Sequence, residues 1–307
     1  MAEEARQCWG FATNMNIAII GLGLIGGSIA LALRASKPDT NIIAFDRDEM
    51  QLDLALRAGA IDAATSDFSA IAKADVIFVC VPVAQASTVF ASLKMHLRAD
   101  TVITDVGSTK QSAIVAARAH LGPHISRFVP GHPIAGREHS GFAAAASELF
   151  ESKNVVLTPL VENASDVLEI VRSLWRACGA RVMEMPAKSH DEIFAAVSHL
   201  PHLLAFALVD EFASRANAKD LFSFAASGFR DFTRIASSSP EMWRDIALDN
   251  RDALLVETDR YLLHAGRLRA ALAARDGAAI EALMTRARDA REQWLAGEFD
   301  RFRDESA

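Results

Sequence analysis

The chain has 307 residues, 51% of them hydrophobic, which is enough for two domains with cores and too apolar for a disordered chain. Its net charge of −7, with no dominating basic stripe, argues against a nucleic-acid or anionic-membrane surface, while a local basic pocket for a small anion stays compatible. Three cysteines, Cys8, Cys80 and Cys178, form neither a CxxC pair nor a zinc spacing, so they read as reduced thiols of a cytoplasmic protein.

Residues 1–14 carry acidic residues and no apolar stretch, and read as a loose tail rather than a signal peptide. No uncharged apolar run reaches the roughly 20 residues of a membrane span. The run "MNIAIIG" (15–21) predicts a buried strand ending in glycine, and "GLGLIGGSIALALRA" continues as a helix. "NIIAFD" (41–46) predicts a second strand, and "MQLDLALRAG" (50–59) a helix with Gly59 at its C-terminal end. "ADVIFVCVP" (74–82) and "DTVITDVG" (100–107) predict two more buried strands with a helix between them. This alternation implies a parallel sheet with right-handed crossovers. Less regular strands are expected near 125–130, 154–158 and 180–185.

After Pro186 the pattern changes. Residues 189–216 predict one long apolar helix, broken or kinked near Pro201, with Ser189 and Glu192 at capping-box spacing. Residues 221–228, 240–264 and 267–299 also predict helix, and no strand is expected after about 185. The fold class is therefore α/β: a Rossmann-like dinucleotide-binding domain over 15–185, then an all-α domain over 186–307.

Gly21, Gly23 and Gly26 make a GxGxxG turn between the first strand and its helix. Gly21 permits the tight turn, Gly23 lets a pyrophosphate approach, and Gly26 lets helix pack on strand. The first helical residues, Leu24 and Ile25, add the free N–H groups and positive dipole of a helix N-terminus. Asp46 closes the second strand 20 residues beyond Gly26, where a carboxylate can accept from both ribose hydroxyls and repel a 2′-phosphate. NAD is favoured; the adjacent Arg47 leaves NADP open. In such sheets the substrate meets the cofactor beyond the carboxyl ends of the strands. Three segments leave such ends: Val81-Pro82, "DVGSTK" (105–110) and "GHPIAG" (131–136).

The stretches "GLGLIGGS", "DVGSTK", "GHPIAGREHSG", "SHLPH" and "GFRDFTRIA", in this order over about residues 15 to 250, resemble the prephenate and arogenate (cyclohexadienyl) dehydrogenases of tyrosine biosynthesis. The resemblance implies oxidative decarboxylation of prephenate to 4-hydroxyphenylpyruvate, of arogenate to tyrosine, or both, with NAD(P) as acceptor. It implies that His132 contacts the ring hydroxyl, where a neutral imidazole suits an acceptor for its proton. Pro133 pushes His132 toward extended backbone, which limits where the ring points.

Other roles follow from the same resemblance. Ser108 would bond to the histidine or the substrate hydroxyl; a plain helix N-cap is its alternative reading. His202 would reach the substrate and Arg234 would bind its carboxylate, with Arg230 as runner-up and an ion pair to Asp231 as the structural alternative. Glu138 and Trp243 fall at family positions near the pocket, though a solvated acid and a core tryptophan suit them as well. Lys110 reads as a first-turn surface lysine and His199 as a packing residue. The spacing of His199 and His202 lacks a carboxylate in register for a metal, so no metal is expected.

The active site would lie between the two domains, and the chain would dimerise through the helical one. The expected partners are the small-molecule substrate and a second copy, with no nucleic acid and no membrane. No fused mutase and no ACT domain is expected, so any inhibition by tyrosine would act at the active site. Two rival readings are a β-hydroxyacid dehydrogenase and a non-enzymatic NAD-binding sensor. The first relies on a lysine in the long helix, and none occurs between Ser189 and Ala218. The second needs no convergence of Ser108, His132, His202 and Arg234.

Overall fold

A computed structural model of the protein describes residues 15–137 and 139–297; the expected loose tail over 1–14, Glu138 and residues 298–307 lie outside the described residues. Six parallel strands form the main sheet: β1 (Asn16–Ile20), β2 (Asn41–Phe45), β3 (Ala63–Thr65), β4 (Val76–Val79), β5 (Val102–Asp105) and β6 (Phe128–Val129). Their spatial order is β3-β2-β1-β4-β5-β6, the dinucleotide-binding order. Helices α1 (Leu24–Ser36), α2 (Glu49–Arg57), α3 (Ala86–Leu93) and α4 (Gln111–His120) alternate with the strands.

Alternate residues of each strand enter opposite faces of the sheet. Ile17 and Ile19 of β1, with Val76 and Phe78 of β4, join one core together with Ile29 and Leu33 of α1. Ala18, Ile20, Ile77 and Val79 join the other with Phe90 of α3 and Ala117 of α4. Burial on both faces explains why these strands read as continuous apolar runs.

A second, three-stranded sheet follows. Strand β7 (Gly131–Pro133) pairs antiparallel with β8 (Asn154–Leu157), which pairs parallel with β9 (Arg181–Glu184). Helix α5 (Ser165–Ala177) buries Val167, Val171, Leu174 and Trp175 against the first core. It has no counterpart among the expected elements. The "GHPIAG" stretch also departs from expectation: its first three residues are a strand, with His132 opposite Val156. Three residues are too few for a periodic signal, which is also why β3 was not foreseen.

Beyond Pro186 the described residues contain helices and no strand. They are α6 (Ala187–Phe194), α7 (Leu200–Ala213), α8 (Ala218–Ser223), α9 (Ser227–Thr233), α10 (Pro240–Asp249), α11 (Arg251–Ala274) and α12 (Gly277–Leu295). Between α6 and α7, Ala195–His199 is wound as a π-helix. Pro201 accounts for it: without an N–H, and with its ring against the carbonyl four residues back, it disturbs the turn before it. The Ser189 and Glu192 pair caps nothing, because Pro186 starts the helix earlier and its fixed φ leaves Ser189 inside the first turns. The expected helix over 240–264 breaks at Asn250, whose side chain turns inward.

By length and composition alone, Ala187–Ala213 is apolar enough to cross a membrane, although charged residues lie near both ends. By compactness the chain divides into two units, one ending at Leu254 and one starting at Leu255.

Candidate active site

At the carboxyl end of β1 the backbone turns at Gly21 with φ +95°, a conformation that side chains rarely adopt. A Cβ at Gly26 would stand 1.9 Å from the Gly21 carbonyl oxygen, so α1 sits directly on the turn. A Cβ at Gly23 would meet nothing within 4 Å, which is the room a pyrophosphate needs above a helix N-terminus. Leu24 and Ile25 begin α1, and their half-buried side chains pack on the core, leaving their amides at the helix start.

Asp46 follows β2 and accepts from the Leu22 amide at 2.6 Å and the Asp48 amide at 2.9 Å. Its carboxylate is thereby fixed against the glycine turn with lone pairs to spare for hydroxyl donors. Arg47 donates to Gln85 Oε1 at 3.0 Å. Val81 borders Gly21, and Pro82 opens the short turn Val83–Gln85. These residues fit a dinucleotide.

One strand further along the sheet edge, Asp105 ends β5. Its carboxylate accepts from the Gly131 amide at 3.1 Å, the Gly107 amide at 2.9 Å and Lys110 Nζ at 2.5 Å. Lys110 is fully buried and also donates to the Gly131 carbonyl at 2.6 Å. The surface reading of Lys110 is therefore wrong. It is a buried cation that clips β7 onto the end of β5. Burial pulls its ammonium below the usual lysine range, and Asp105 opposes that.

His132 is half-buried, and its Nδ1 lies 2.9 Å from His190 Nε2. His190 Nδ1 lies 2.7 Å from Asp191 Oδ1. Asp191 also accepts from the Lys110 amide at 2.8 Å and the Gln111 amide at 2.9 Å, capping α4 from α6. Phe194 packs edge-on to His132 with ring centres 5.0 Å apart, and against His190 at 4.5 Å. Asn250 donates to the Asp191 carbonyl at 2.8 Å and sits 3.1 Å from His199 Nδ1.

The electrostatics keep these imidazoles neutral. Burial, then the cost of placing a second positive charge beside His190, Lys110 or His199, holds His132 well below its usual range. Burial also lowers His190, against the pull of Asp191, and brings His199 down to about 4. For Asp191, burial favours the neutral acid. The bonds from His190, Lys110 and Gln111 outweigh it and keep the carboxyl below its usual range.

His202 stacks on Trp243 with ring centres 3.6 Å apart and planes 19° apart, and its Nδ1 lies 2.9 Å from the Ser198 carbonyl. Trp243 is buried, its indole nitrogen unpartnered among the described residues, and it also meets His199 edge-on at 6.0 Å. Burial lowers the His202 imidazole, and the positive charge of the exposed Arg234 adds to that shift.

Residues 29–184 match the family model for the nucleotide-binding domain of prephenate dehydrogenase, and residues 186–286 match its dimerization domain. The chain belongs to the prephenate dehydrogenase family. It is 37% identical to the cyclohexadienyl dehydrogenase of Zymomonas mobilis over 85% of this chain and 90% of the relative. It is 40% identical to the prephenate dehydrogenase of Bacillus subtilis over 82% of this chain and 69% of the relative. Among solved structures, the prephenate dehydrogenase of Aquifex aeolicus, in complex with hydroxyphenyl propionate and NAD+, superposes with a TM-score of 0.87 at 32% identity. The superposition covers 93% of this chain and 99% of that one.

Of the residues expected at a prephenate dehydrogenase site, the structure gathers His202, Trp243 and Arg234 in one place, and His132 beside His190 and Phe194. Ser108 is half-buried, and its hydroxyl has no hydrogen bond among the described residues. It does not cap α4, since Lys110 occupies that position and Asp191 accepts from the first amides. The expected role of Glu138 falls outside the described residues. Sequence reasoning missed His190, Asp191 and Asn250. A signal existed in the adjacent "HD" pair at 190–191, shortly before the "SHLPH" motif, but only the fold brings it under His132.

Proposed function

We propose that the protein catalyses the NAD-dependent oxidative decarboxylation of prephenate, arogenate or both, in tyrosine biosynthesis. The observation that carries this reading is the meeting of a glycine turn fit for a dinucleotide and a neutral histidine on one sheet edge, in a member of this family. When bound, the nicotinamide supplies the hydride acceptor. Asp46 holds the ribose side and disfavours a 2′-phosphate, and Arg47 is engaged with Gln85, so NAD is preferred over NADP.

The reaction removes hydride from the carbinol carbon and the proton from its hydroxyl. The C–C bond to the ring carboxylate then breaks, carbon dioxide leaves, the electron pair aromatises the ring, and the oxygen takes the proton back to become the phenol. His132 accepts the hydroxyl proton; its buried surroundings keep the imidazole unprotonated near pH 7 and ready to take it. Ser108 lies on the same sheet edge and orients the hydroxyl. His202, stacked on Trp243, lines the substrate site, Arg234 pairs with a substrate carboxylate, and Glu138 lies at the mouth.

The residues divide near Pro186 into a cofactor-binding part and a helical part. The apolar surface of the helix through Ile193 and Val197, both exposed, packs against a second copy in a cytoplasmic homodimer. Sedimentation analysis is expected to give twice the chain mass; a monomer at micromolar concentration would refute the dimer.

The activity is tested by NADH absorbance on mixing the protein with NAD and prephenate or arogenate, each repeated with NADP. Signal is expected with at least one substrate and faster with NAD. Silence in all four mixtures would overturn the reading.

A further inference from the structure

We propose that His190 and Asp191 are positioning residues for His132: they fix its tautomer so that Nε2 is the bare nitrogen offered to the substrate hydroxyl. This deepens the proposed function, and it rests on His132 being the proton acceptor.

The argument is one of counting donors. Asp191 receives the Lys110 amide on Oδ1 at 2.8 Å and the Gln111 amide on Oδ2 at 2.9 Å. A backbone N–H can only donate, so both carboxylate oxygens are acceptors. The 2.7 Å contact between Oδ1 and His190 Nδ1 is then satisfied only if His190 donates. A neutral imidazole carries one proton, so His190 Nε2 is bare. Its partner at 2.9 Å is His132 Nδ1, which must supply the proton of that bond. His132 in turn carries one proton, on Nδ1, and its Nε2 keeps a lone pair. Two backbone amides at the start of α4 thus decide the tautomer of a histidine two residues removed from them.

The same chain acts after proton transfer. Protonation at Nε2 makes His132 a cation whose Nδ1–H points at a neutral acceptor backed by a carboxylate. Other charged and titratable groups face it too. Lys110 opposes the new charge, Asp105 offsets Lys110, and His199 sits behind Asn250. Without Asp191 the new cation would face Lys110 with less compensation. The logic is that of a serine-protease triad, in which a buried carboxylate holds the working imidazole in the right tautomer. Here a second histidine is interposed. Phe194 packs on both rings and limits their rotation.

The direct test is spectroscopic. In the full-length protein labelled with 15N-histidine, His132 is assigned by the signal lost in His132→Asn. The expected species at pH 7 is neutral with the proton on Nδ1. A proton on Nε2, or an imidazolium, overturns the proposal, and this reading needs no His190 variant to fold. The kinetic test is His190→Phe, which keeps a ring but removes both nitrogens. Its kcat is expected to fall about a hundred-fold, with NAD affinity within two-fold and KM little moved. An unchanged kcat overturns the relay. His132→Asn separates the two levels. If it keeps full turnover, His132 is not the base and the proposed function fails at that residue. A slow His132→Asn beside an unimpaired His190→Phe defeats the relay alone.

Discussion

The two ends of the sheet edge are held rigid by opposite means. At the glycine turn, rigidity comes from what is missing. Side chains are absent at Gly21 and Gly26, so backbone packs on backbone, with Cys80 and the start of α1 closing in. At the histidine end, rigidity comes from what is added: a buried ion pair, a capping carboxylate and a line of imidazoles. The first device is steric and indifferent to proton concentration. The second is electrostatic and depends on each group keeping its charge state. One molecule thus combines a turn with no room for a side chain at Gly21 or Gly26 and a cluster that tolerates no lost charge.

The largest effect is expected where the charge is removed. Lys110→Met would leave Asp105 buried opposite no cation, and should cost about 3–5 kcal/mol of stability, read from urea unfolding. A loss below about 1 kcal/mol would mean the pair does not anchor β7. His132→Asn should fold and bind NAD while kcat drops by about 10²–10⁴-fold, measured by NADH formation under saturating substrate.

Steric tests come next. Gly26→Ala should destabilise the fold by about 1–3 kcal/mol, because its Cβ meets the Gly21 carbonyl. Gly23→Ala should leave melting nearly unchanged while weakening NAD binding, since its Cβ enters open space. Equal behaviour of the two alanines would break the steric account. Arg234→Gln should raise KM about ten-fold with NAD affinity kept; a matching loss of NAD affinity would move Arg234 out of the substrate site.

The mildest test is acid. His132, His190 and His199 all have folded pKa values below their unfolded ones, so below about pH 6.5 the unfolded chain binds the extra protons. Stability should therefore fall as pH drops from 6.5 toward 4, by up to about 1.4 kcal/mol per pH unit for each histidine. The acid limb of kcat/KM should lie well below pH 6.5, because His132 is still neutral there. An acid limb at 6.5 or above would contradict the buried setting of that ring.

How much of this was legible depended on distance along the chain. The glycine turn is written in six consecutive residues, and the strand before and helix after make it readable, as does Asp46 one strand later. The strands buried on both faces were equally plain as apolar runs. The histidine end joins residues 58 and 81 positions apart, and no local pattern announces such a contact. Lys110 shows the cost: in a list of first-turn residues it looks solvated, and only the approach of β7 and α6 buries it. His132 was found through its motif and the strand end before it. The strand that fixes its ring depends on β8, more than twenty residues later, and could not be read from "GHPIAG" itself.

The burial of Lys110 makes it a chemical clock. Amine-acylating reagents reach exposed lysines at once, but the Lys110 nitrogen is covered on all sides and bonded to Asp105 and Gly131. It can be acylated only in those molecules where β7 has lifted from β5. The slow appearance of label at this one position, followed by peptide mass, therefore times the opening of the strand that carries His132. Any ligand that holds β7 against β5 will slow that clock without touching the lysine.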